Sequence, residues 1–216
     1  MGLFDKKTCS ICGASVGLLG GLVGESLAGD AYMCGDCRKK CIPSDKLDFK
    51  AMTVDDAKAL LAVAEANRKK GAAEFHATRQ FVAGAYGDRP ALDVDEGHGW
   101  FMNAATKDGW VYDLDDIYTF CLDATTIPLA EGETYSLNLH PYPELPTCPN
   151  NQKVIDLKLK IWLLDNELGV DMIAINLIPA FAPDETQVQS AYACAQDFYS
   201  FMKSWRMAQK QRRGVR

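Results

Sequence analysis

Two pairs of cysteines near the N-terminus form the clearest chemical pattern in this sequence. Cys9 and Cys12 are separated by two residues, as are Cys34 and Cys37, and residues 13–33 lie between the pairs. A Cys-x-x-Cys turn directs both of its sulfurs at one ion, and two such turns supply the four thiolates of a closed tetrahedral zinc site. The spacing therefore predicts that these four cysteines bind one structural Zn2+.

The segment between the pairs indicates why a metal is needed. Residues 13–33 contain six glycines, and a region of roughly forty residues buries too little apolar surface to fold alone. Structural zinc contributes about 10 to 16 kcal/mol of apparent folding free energy. We expect Gly13 and Gly35 to let backbone N–H groups turn toward the thiolates. Basic residues flank the pairs and are expected to balance the charge of the site: Lys6, Lys7, Arg38, Lys39 and Lys40.

Other uses of paired cysteines are disfavoured by their context. A thioredoxin-like redox centre needs a single pair at a strand-to-helix junction of a parallel fold. An iron–sulfur site uses four cysteines too, but the closely spaced ferredoxin runs are absent from the sequence. A catalytic zinc keeps an open coordination position, whereas four cysteines favour a closed site.

The same region resembles a known family. The stretches "MGLFDKKTCSICG", "GLLG" and "CGDCRKK" are similar to an N-terminal zinc-ribbon domain of unknown function found in many bacterial proteins, especially Gram-positive ones. The resemblance covers about the first fifty residues, and the loop between the pairs is longer and more apolar here. It implies that Cys9, Cys12, Cys34 and Cys37 are the metal ligands, and it implies no established activity.

Composition indicates a globular protein. Of the 216 residues, 48% are hydrophobic and 24% are charged, which is too apolar for a disordered chain. The N-terminal stretch lacks the layout of a secretory signal, and no apolar run reaches the roughly 18 residues of a membrane-spanning helix. We therefore expect a cytoplasmic protein without a transmembrane segment, whose cysteines are reduced or bound to metal.

The rest of the sequence predicts strands between two helices. Thr53 and Asp56 form a capping box that begins a helix over about 53–70, and Asp184 with Gln187 can cap a final helix with a broad apolar face. Apolar residues alternate with polar ones between these helices, and turn-like segments separate the runs. The predicted strands are 79–86, 91–94, 99–104, 109–113, 117–123, 134–139, 155–163 and 171–178.

These elements predict an α+β fold. We expect a zinc-ribbon domain over 1–50, a linker helix over 51–74, an antiparallel β barrel or sheet with a C-terminal helix over 75–210, and a basic tail over 211–216. The element order of the third part resembles pleckstrin-homology-like and GRAM-like domains. That resemblance implies binding of peptides, proteins or lipid headgroups rather than catalysis.

No catalytic set is evident in the sequence, and we assign no catalytic or cofactor-binding residue. His76, His98 and His140 are scattered, without a metalloprotease motif or an adjacent nucleophile. The expected function is therefore a zinc-binding, non-catalytic adaptor that engages a protein or membrane-surface partner. Nucleic-acid binding is disfavoured, because the first fifty residues carry seven basic and six acidic charges, too balanced for a basic footprint. A thiol-redox enzyme is a further alternative.

Positive charge is concentrated at the end of the chain. Residues 203–216 include six basic residues and no acidic one, although the net charge of the whole chain is -6. The simpler interpretation is a solvated helix end. The alternative is that these cations contact an acidic partner or an anionic membrane surface.

Overall fold

The chain folds into two compact units. The computed structural model describes residues 7–17, 23–41, 47–84, 90–106, 109–134, 151–178 and 183–212. The first unit comprises Met1–Glu74 and Leu164–Asp171, and the second comprises Phe75–Leu163 and Met172–Arg216. As predicted, the architecture is mixed α+β with antiparallel sheets and a C-terminal helix. None of its described helices combines the length and the apolar character needed to cross a membrane.

Short elements make up the first unit. Strands β1 and β2 form one antiparallel hairpin, and β3 and β4 form another. Each of these strands has two residues. The bounds are β1 Lys7–Thr8, β2 Ser15–Val16, β3 Glu25–Ser26, β4 Tyr32–Met33, α1 Gly35–Lys40 and α2 Val54–Glu74. A 3-10 turn, Phe49–Ala51, precedes α2. Isolated hairpins of this length are not stable in water, so their stability must come from what they enclose.

The long helix α2 begins where the capping box predicts. Thr53 N–H donates to Asp56 Oδ2 at 2.9 Å, and Asp56 N–H donates to Thr53 Oγ1 at 3.2 Å. The helix runs four residues past the predicted end at 70, since Gly71 is buried on its packed face rather than acting as a terminator. Arg68 on α2 donates to the carbonyl oxygen of Lys40 at 2.8 Å, which satisfies an end carbonyl of α1.

The second unit contains two open antiparallel sheets. One has the strand order β5-β6-β7-β8 and the other has the order β11-β10-β9. The bounds are β5 Arg79–Val82, β6 Pro90–Asp95, β7 Trp100–Asn103, β8 Val111–Asp113, β9 Ile117–Pro128, β10 Gln152–Leu163, β11 Met172–Asn176 and α3 Glu185–Arg212. Of the two predicted arrangements, a barrel or a sheet, the described strands form open sheets, and the barrel is wrong. A 3-10 turn, Leu114–Asp116, separates β8 from β9 and divides the meander into two sheets.

Most predicted strands are confirmed, with shifted ends. β9 extends five residues past the predicted end at 123, because its partner β10 continues the antiparallel ladder as far as the pair Gln152 and Pro128. β5 ends at Val82, before the predicted end at 86. The predicted strand 134–139 lies outside the described residues except for its first residue.

One helix joins the cores of the two sheets. Gln187 N–H donates to Asp184 Oδ1 at 2.8 Å, which confirms the predicted cap of α3. Phe198 is fully buried, and its ring lies 5.3 Å from Phe81 on β5 and 5.3 Å from Phe120 on β9. Edge-to-face aromatic pairs of this kind stabilise beyond their buried area. The apolar stripe of α3 therefore packs on both sheets.

A buried carboxylate organises the turn between β6 and β7. Asp95 is 2% exposed, and its carboxylate accepts hydrogen bonds from the His76 backbone at 2.9 Å and the His98 backbone at 3.2 Å. Its Oδ2 lies 2.8 Å from His98 Nδ1. Burial raises the pKa of Asp95, but the bonds from His98 and His76 outweigh it and hold the pKa at about 2.

We expect Asp95→Asn to lower the free energy of unfolding by about 1 to 2 kcal/mol, because an amide cannot replace an ionised acceptor of three hydrogen bonds. The folded pKa of about 2 lies below the unfolded value of about 3.9. The ionised carboxylate therefore stabilises the fold above about pH 4, and this contribution is lost as the pH falls toward about 2.

Urea unfolding across this pH range measures both effects. The exposed Glu131→Gln serves as the control, and it should leave the unfolding free energy within about 0.5 kcal/mol. Equal acid sensitivity of wild type and Asp95→Asn would contradict the role assigned to this carboxylate.

Candidate metal centre

The four paired cysteines converge in the first unit. The Sγ atoms of Cys9, Cys12, Cys34 and Cys37 all lie within 4.8 Å of one another. Cys9 Sγ is 3.9 Å from Cys37 Sγ, and Cys12 Sγ is 3.8 Å from Cys34 Sγ. All four are free cysteines, and all except Cys12 are buried. The structure thus brings together every residue that the sequence singled out as a ligand.

The separations suit a single tetrahedral ion. A zinc–sulfur bond of about 2.3 Å implies sulfurs about 3.8 Å apart in a regular tetrahedron. Two opposite edges of the cysteine cluster measure 3.9 and 3.8 Å, so the sulfurs can hold one ion with little rearrangement. A multinuclear iron–sulfur cluster would place several metal atoms between the thiolates and needs a wider spacing. The arrangement can bind one metal ion, whose identity the geometry does not specify.

The first pair lies in the turn between β1 and β2. Cys9 N–H donates to the carbonyl oxygen of Ala14 at 2.9 Å, and Gly13 N–H donates to the carbonyl oxygen of Cys9 at 2.9 Å. Gly13 has a φ of +72°, a left-handed conformation that glycine adopts without a side-chain penalty. The backbone therefore doubles back after Cys12 and leaves both sulfurs of this pair on the same side of the turn.

Helix α1 positions the second pair. Cys34 is the residue preceding the helix, and Cys37 lies within its first turn. The carbonyl oxygen of Cys34 accepts the Arg38 N–H at 2.9 Å, which begins the helical hydrogen-bond pattern. Because residues three apart lie on the same face of a helix, the sulfur of Cys37 faces that of Cys34.

Three hydrogen bonds connect the turn of the first pair to the second pair. Ser10 N–H donates to the carbonyl oxygen of Tyr32 at 2.7 Å, and Tyr32 N–H donates to Ser10 Oγ at 3.1 Å. Cys34 N–H donates to Cys9 Sγ at 3.3 Å. Sequence reasoning missed Ser10 and Tyr32. The only local signal was a hydroxyl residue placed between two cysteines.

Backbone donors favour the thiolate of Cys9. Burial raises the pKa of Cys9, but hydrogen bonds from the backbone N–H groups of Cys12, Cys34 and Ile11 outweigh it and lower the pKa to about 6. Backbone N–H groups thus turn toward this sulfur, and Gly13, whose own N–H donates to the carbonyl oxygen of Cys9, lies in the left-handed turn directly after the pair. These backbone donors therefore stabilise the thiolate form of Cys9.

Cys37 shows the opposite shift. Burial raises the pKa of its thiol, and hydrogen bonds with the neighbouring cysteines raise it further. A metal ion must displace such protons in order to bind all four sulfurs as thiolates. Metal binding at this cluster therefore releases protons and weakens as the pH falls.

Two of the nearby cations lie over aromatic rings. Lys7 Nζ lies 5.0 Å from the centre of the Tyr32 ring, and the Arg38 guanidinium lies 4.5 Å from that of Phe49. Arg38 also pairs with Glu25 at 3.5 Å. These two cations thus pack against the core of the first unit beside the cluster. Lys6 lies outside the described residues.

The other described cysteines and histidines contribute no ligand to the cluster. The Cys41 thiol is buried and donates to the carbonyl oxygen of Cys37 at 3.6 Å. In the second unit, burial, with a further contribution from Asp197, raises the pKa of Cys194 to about 12, as expected for a packing residue. His98 bonds Asp95, His76 contributes its backbone, and His140 lies outside the described residues. Within the described ranges the four-cysteine cluster is the only metal-competent group.

Comparisons with known proteins add no relatives to this picture. No protein-family model, no curated protein and no solved structure matches the chain. The similarity to a bacterial zinc-ribbon domain therefore stays a prediction.

We predict that Cys34→Ser abolishes metal binding and disorders residues 9–37, because three thiolates and a hydroxyl hold a structural metal poorly and the hairpins cannot fold without it. The second unit should remain folded, since its core consists of its own aromatic and aliphatic side chains. Metal analysis combined with limited proteolysis and mass spectrometry measures both outcomes.

The matched control is Cys41→Ser, which removes a buried thiol of the same unit outside the cluster. It should retain the metal and the wild-type cleavage pattern. Cleavage of Cys34→Ser at equal rates throughout both units would contradict the prediction.

Proposed function

We propose that this protein is a zinc-binding, non-catalytic interaction protein, in which a structural zinc ribbon accompanies a β unit that binds a protein or membrane partner. The observation that carries the proposal is the convergence of four cysteine sulfurs within 4.8 Å of one another. Cysteine is the preferred ligand of structural zinc, and a tetrahedral four-sulfur set indicates zinc or iron.

The closed ligand set supports a structural rather than a catalytic metal. Catalytic zinc uses three protein ligands and leaves the fourth position for water or substrate. Here four sulfurs surround one point, and three of the four cysteines are buried. The zinc would hold the Cys9–Cys12 turn against the start of α1 and would carry no reaction.

In the second unit, His98 and Asp95 form a structural pair. The closest arrangement to a catalytic pair in its described part is His98 with Asp95, and no hydroxyl or thiol of the described residues is hydrogen-bonded to His98. Asp95 instead accepts two backbone N–H groups and stabilises a turn. Nucleic acid is a weaker candidate partner, because Arg38 in the first unit is engaged with Glu25 and with the ring of Phe49.

We expect purified protein to contain about one zinc per chain by mass-spectrometric metal analysis. Replacement of zinc by Co2+ should produce the visible bands of tetrahedral cobalt and the thiolate charge-transfer absorption in the near ultraviolet. Cys41→Ser should keep both signals, and Cys34→Ser should lose them. A stoichiometric content of iron, or the absence of any metal, would overturn the zinc assignment.

The interaction role is tested separately by affinity capture from the native host. Tagged wild type should retain a reproducible protein partner, and a gel-shift titration with DNA and RNA should show no salt-dependent binding beyond that of an acidic control protein. Turnover of substrate by the metal-loaded protein, or tight salt-sensitive binding of nucleic acid, would contradict the proposal.

A further inference from the structure

A cationic groove lies in the second unit, between the start of β9 and the C-terminal half of α3. It has a volume of about 280 Å3, and its lining includes Thr119 and Phe120 on the strand and three basic residues on the helix. The basic residues are Lys203, Arg206 and Lys210. A second depression of about 290 Å3 shares Arg206 and Lys210 and is also lined by Ile117 and Trp205.

The three cations lie on one face of α3. Lys203, Arg206 and Lys210 are separated by three and four residues, the spacing of neighbours along a helix. Lys203 and Lys210 are therefore about 10 Å apart along the axis. All three side chains are exposed, and no carboxylate of the described residues forms a salt bridge with any of them. The first depression includes no acidic residue in its lining, and the second includes Asp115, whose Oδ1 accepts a hydrogen bond from Trp205 Nε1 at 3.1 Å.

The central guanidinium is held in place. Arg206 Nη2 donates to the carbonyl oxygens of Ile117 at 2.9 Å and Tyr118 at 3.0 Å, and the guanidinium lies 5.9 Å from the centre of the Phe120 ring. Both bonds use one nitrogen of a group that has five N–H donors. Nε and Nη1 can therefore donate to an anion with little loss of side-chain entropy on binding.

Apolar side chains flank the cations. Phe120 and Met207 line the groove beside the buried Met202, and Met207 is 56% exposed. Methionine packs adaptably against varied surfaces and is common at sites that bind peptides. The charged phosphate backbone of a nucleic acid would not contact this apolar lining, whereas a peptide can present carboxylates and apolar side chains together.

We propose that this groove binds an extended acidic segment of a partner protein, an inference that specifies the partner chemistry within the proposed interaction function. Carboxylates on alternate residues of an extended peptide are about 6.6 Å apart, whereas successive cations on α3 are about 4.5 and 6 Å apart along the helix axis, so that flexible side chains on both partners can bring the opposite charges together. Charge complementarity supplies the specificity, and the groove lining contacts the apolar side chains.

Two other occupants fit the groove less well. An anionic membrane is flat and attracts clusters of four to eight exposed cations, whereas the groove is concave and its lining holds three of the six basic residues of 203–216. A second copy of this chain carries a net charge of -6, so association of two copies is opposed by their long-range repulsion.

Fluorescence anisotropy of the full-length chain with a labelled synthetic peptide tests the proposal. In the probe peptide every second residue is glutamate, and the residues between are serine or leucine. In the control peptide every glutamate is replaced by glutamine. The double variant Lys203→Gln with Lys210→Gln should bind the glutamate peptide about tenfold more weakly than wild type, since each charge contact contributes up to about fivefold. The matched double variant Lys50→Gln with Lys58→Gln removes the same charge from exposed sites of the first unit and should bind like wild type.

Parallel arms separate the competing occupants. Vesicles of phosphatidylserine and phosphatidylcholine report membrane binding, and light scattering reports association of two copies. The proposal is overturned if the glutamate peptide does not bind, if both double variants weaken binding equally, or if the Lys203 and Lys210 changes affect only vesicle binding or self-association. If the peptide experiments fail but the zinc-loaded protein still captures a host partner, only the groove assignment is refuted. If the purified protein contains no metal or captures no partner, the proposed function is refuted.

Discussion

The first unit depends on four sulfurs reaching one point. Its hairpins are two residues long, and helix α1 has six residues, so none of these elements is stable by itself. The buried core of the unit includes Cys9, Cys34 and Cys37 alongside Tyr32 and Phe49. The residues that would bind the ion are therefore also the residues on which the apolar side chains pack. Binding of a metal ion to this cluster would therefore be coupled to the folding of the unit.

The second unit is stabilised by a different mechanism. Its central contacts are between aromatic rings, with Phe198 of α3 placed between Phe81 of β5 and Phe120 of β9. Burial of large rings contributes stability without any ion. The helix that completes this core also carries the exposed cations of its last turns, so the element that stabilises the unit presents the groove to solvent.

The groove shows how packing turns a charged helix end into a specific surface. A solvated helix end would leave each cation free to sample many rotamers. Here the carbonyl oxygens of Ile117 and Tyr118 hold Arg206, and the ring of Phe120 lies beneath it. Ordering of the central cation before a ligand arrives reduces the entropic cost of binding. The ordered Arg206 is also a fixed positive charge between Lys203 and Lys210.

The sequence by itself determined the features that depend on neighbouring residues. Four such features involve residues only a few positions apart, and the structure has each of them. They are the Cys-x-x-Cys spacing, the helix cap formed by Thr53 and Asp56, the helix cap formed by Asp184 and Gln187, and the alternation in β10. A turn, a helix start or a strand is specified over such short distances, because hydrogen bonds and side-chain directions repeat locally.

Only the tertiary structure decided which distant segments meet. It divided the strands into two open sheets instead of a barrel, directed the Cys34 N–H to the Cys9 sulfur, and placed Arg206 against the carbonyl oxygens at the start of β9. These outcomes depend on register and packing between residues far apart in the chain. Their energies come from burial and pairing across many elements at once, and no local pattern encodes them.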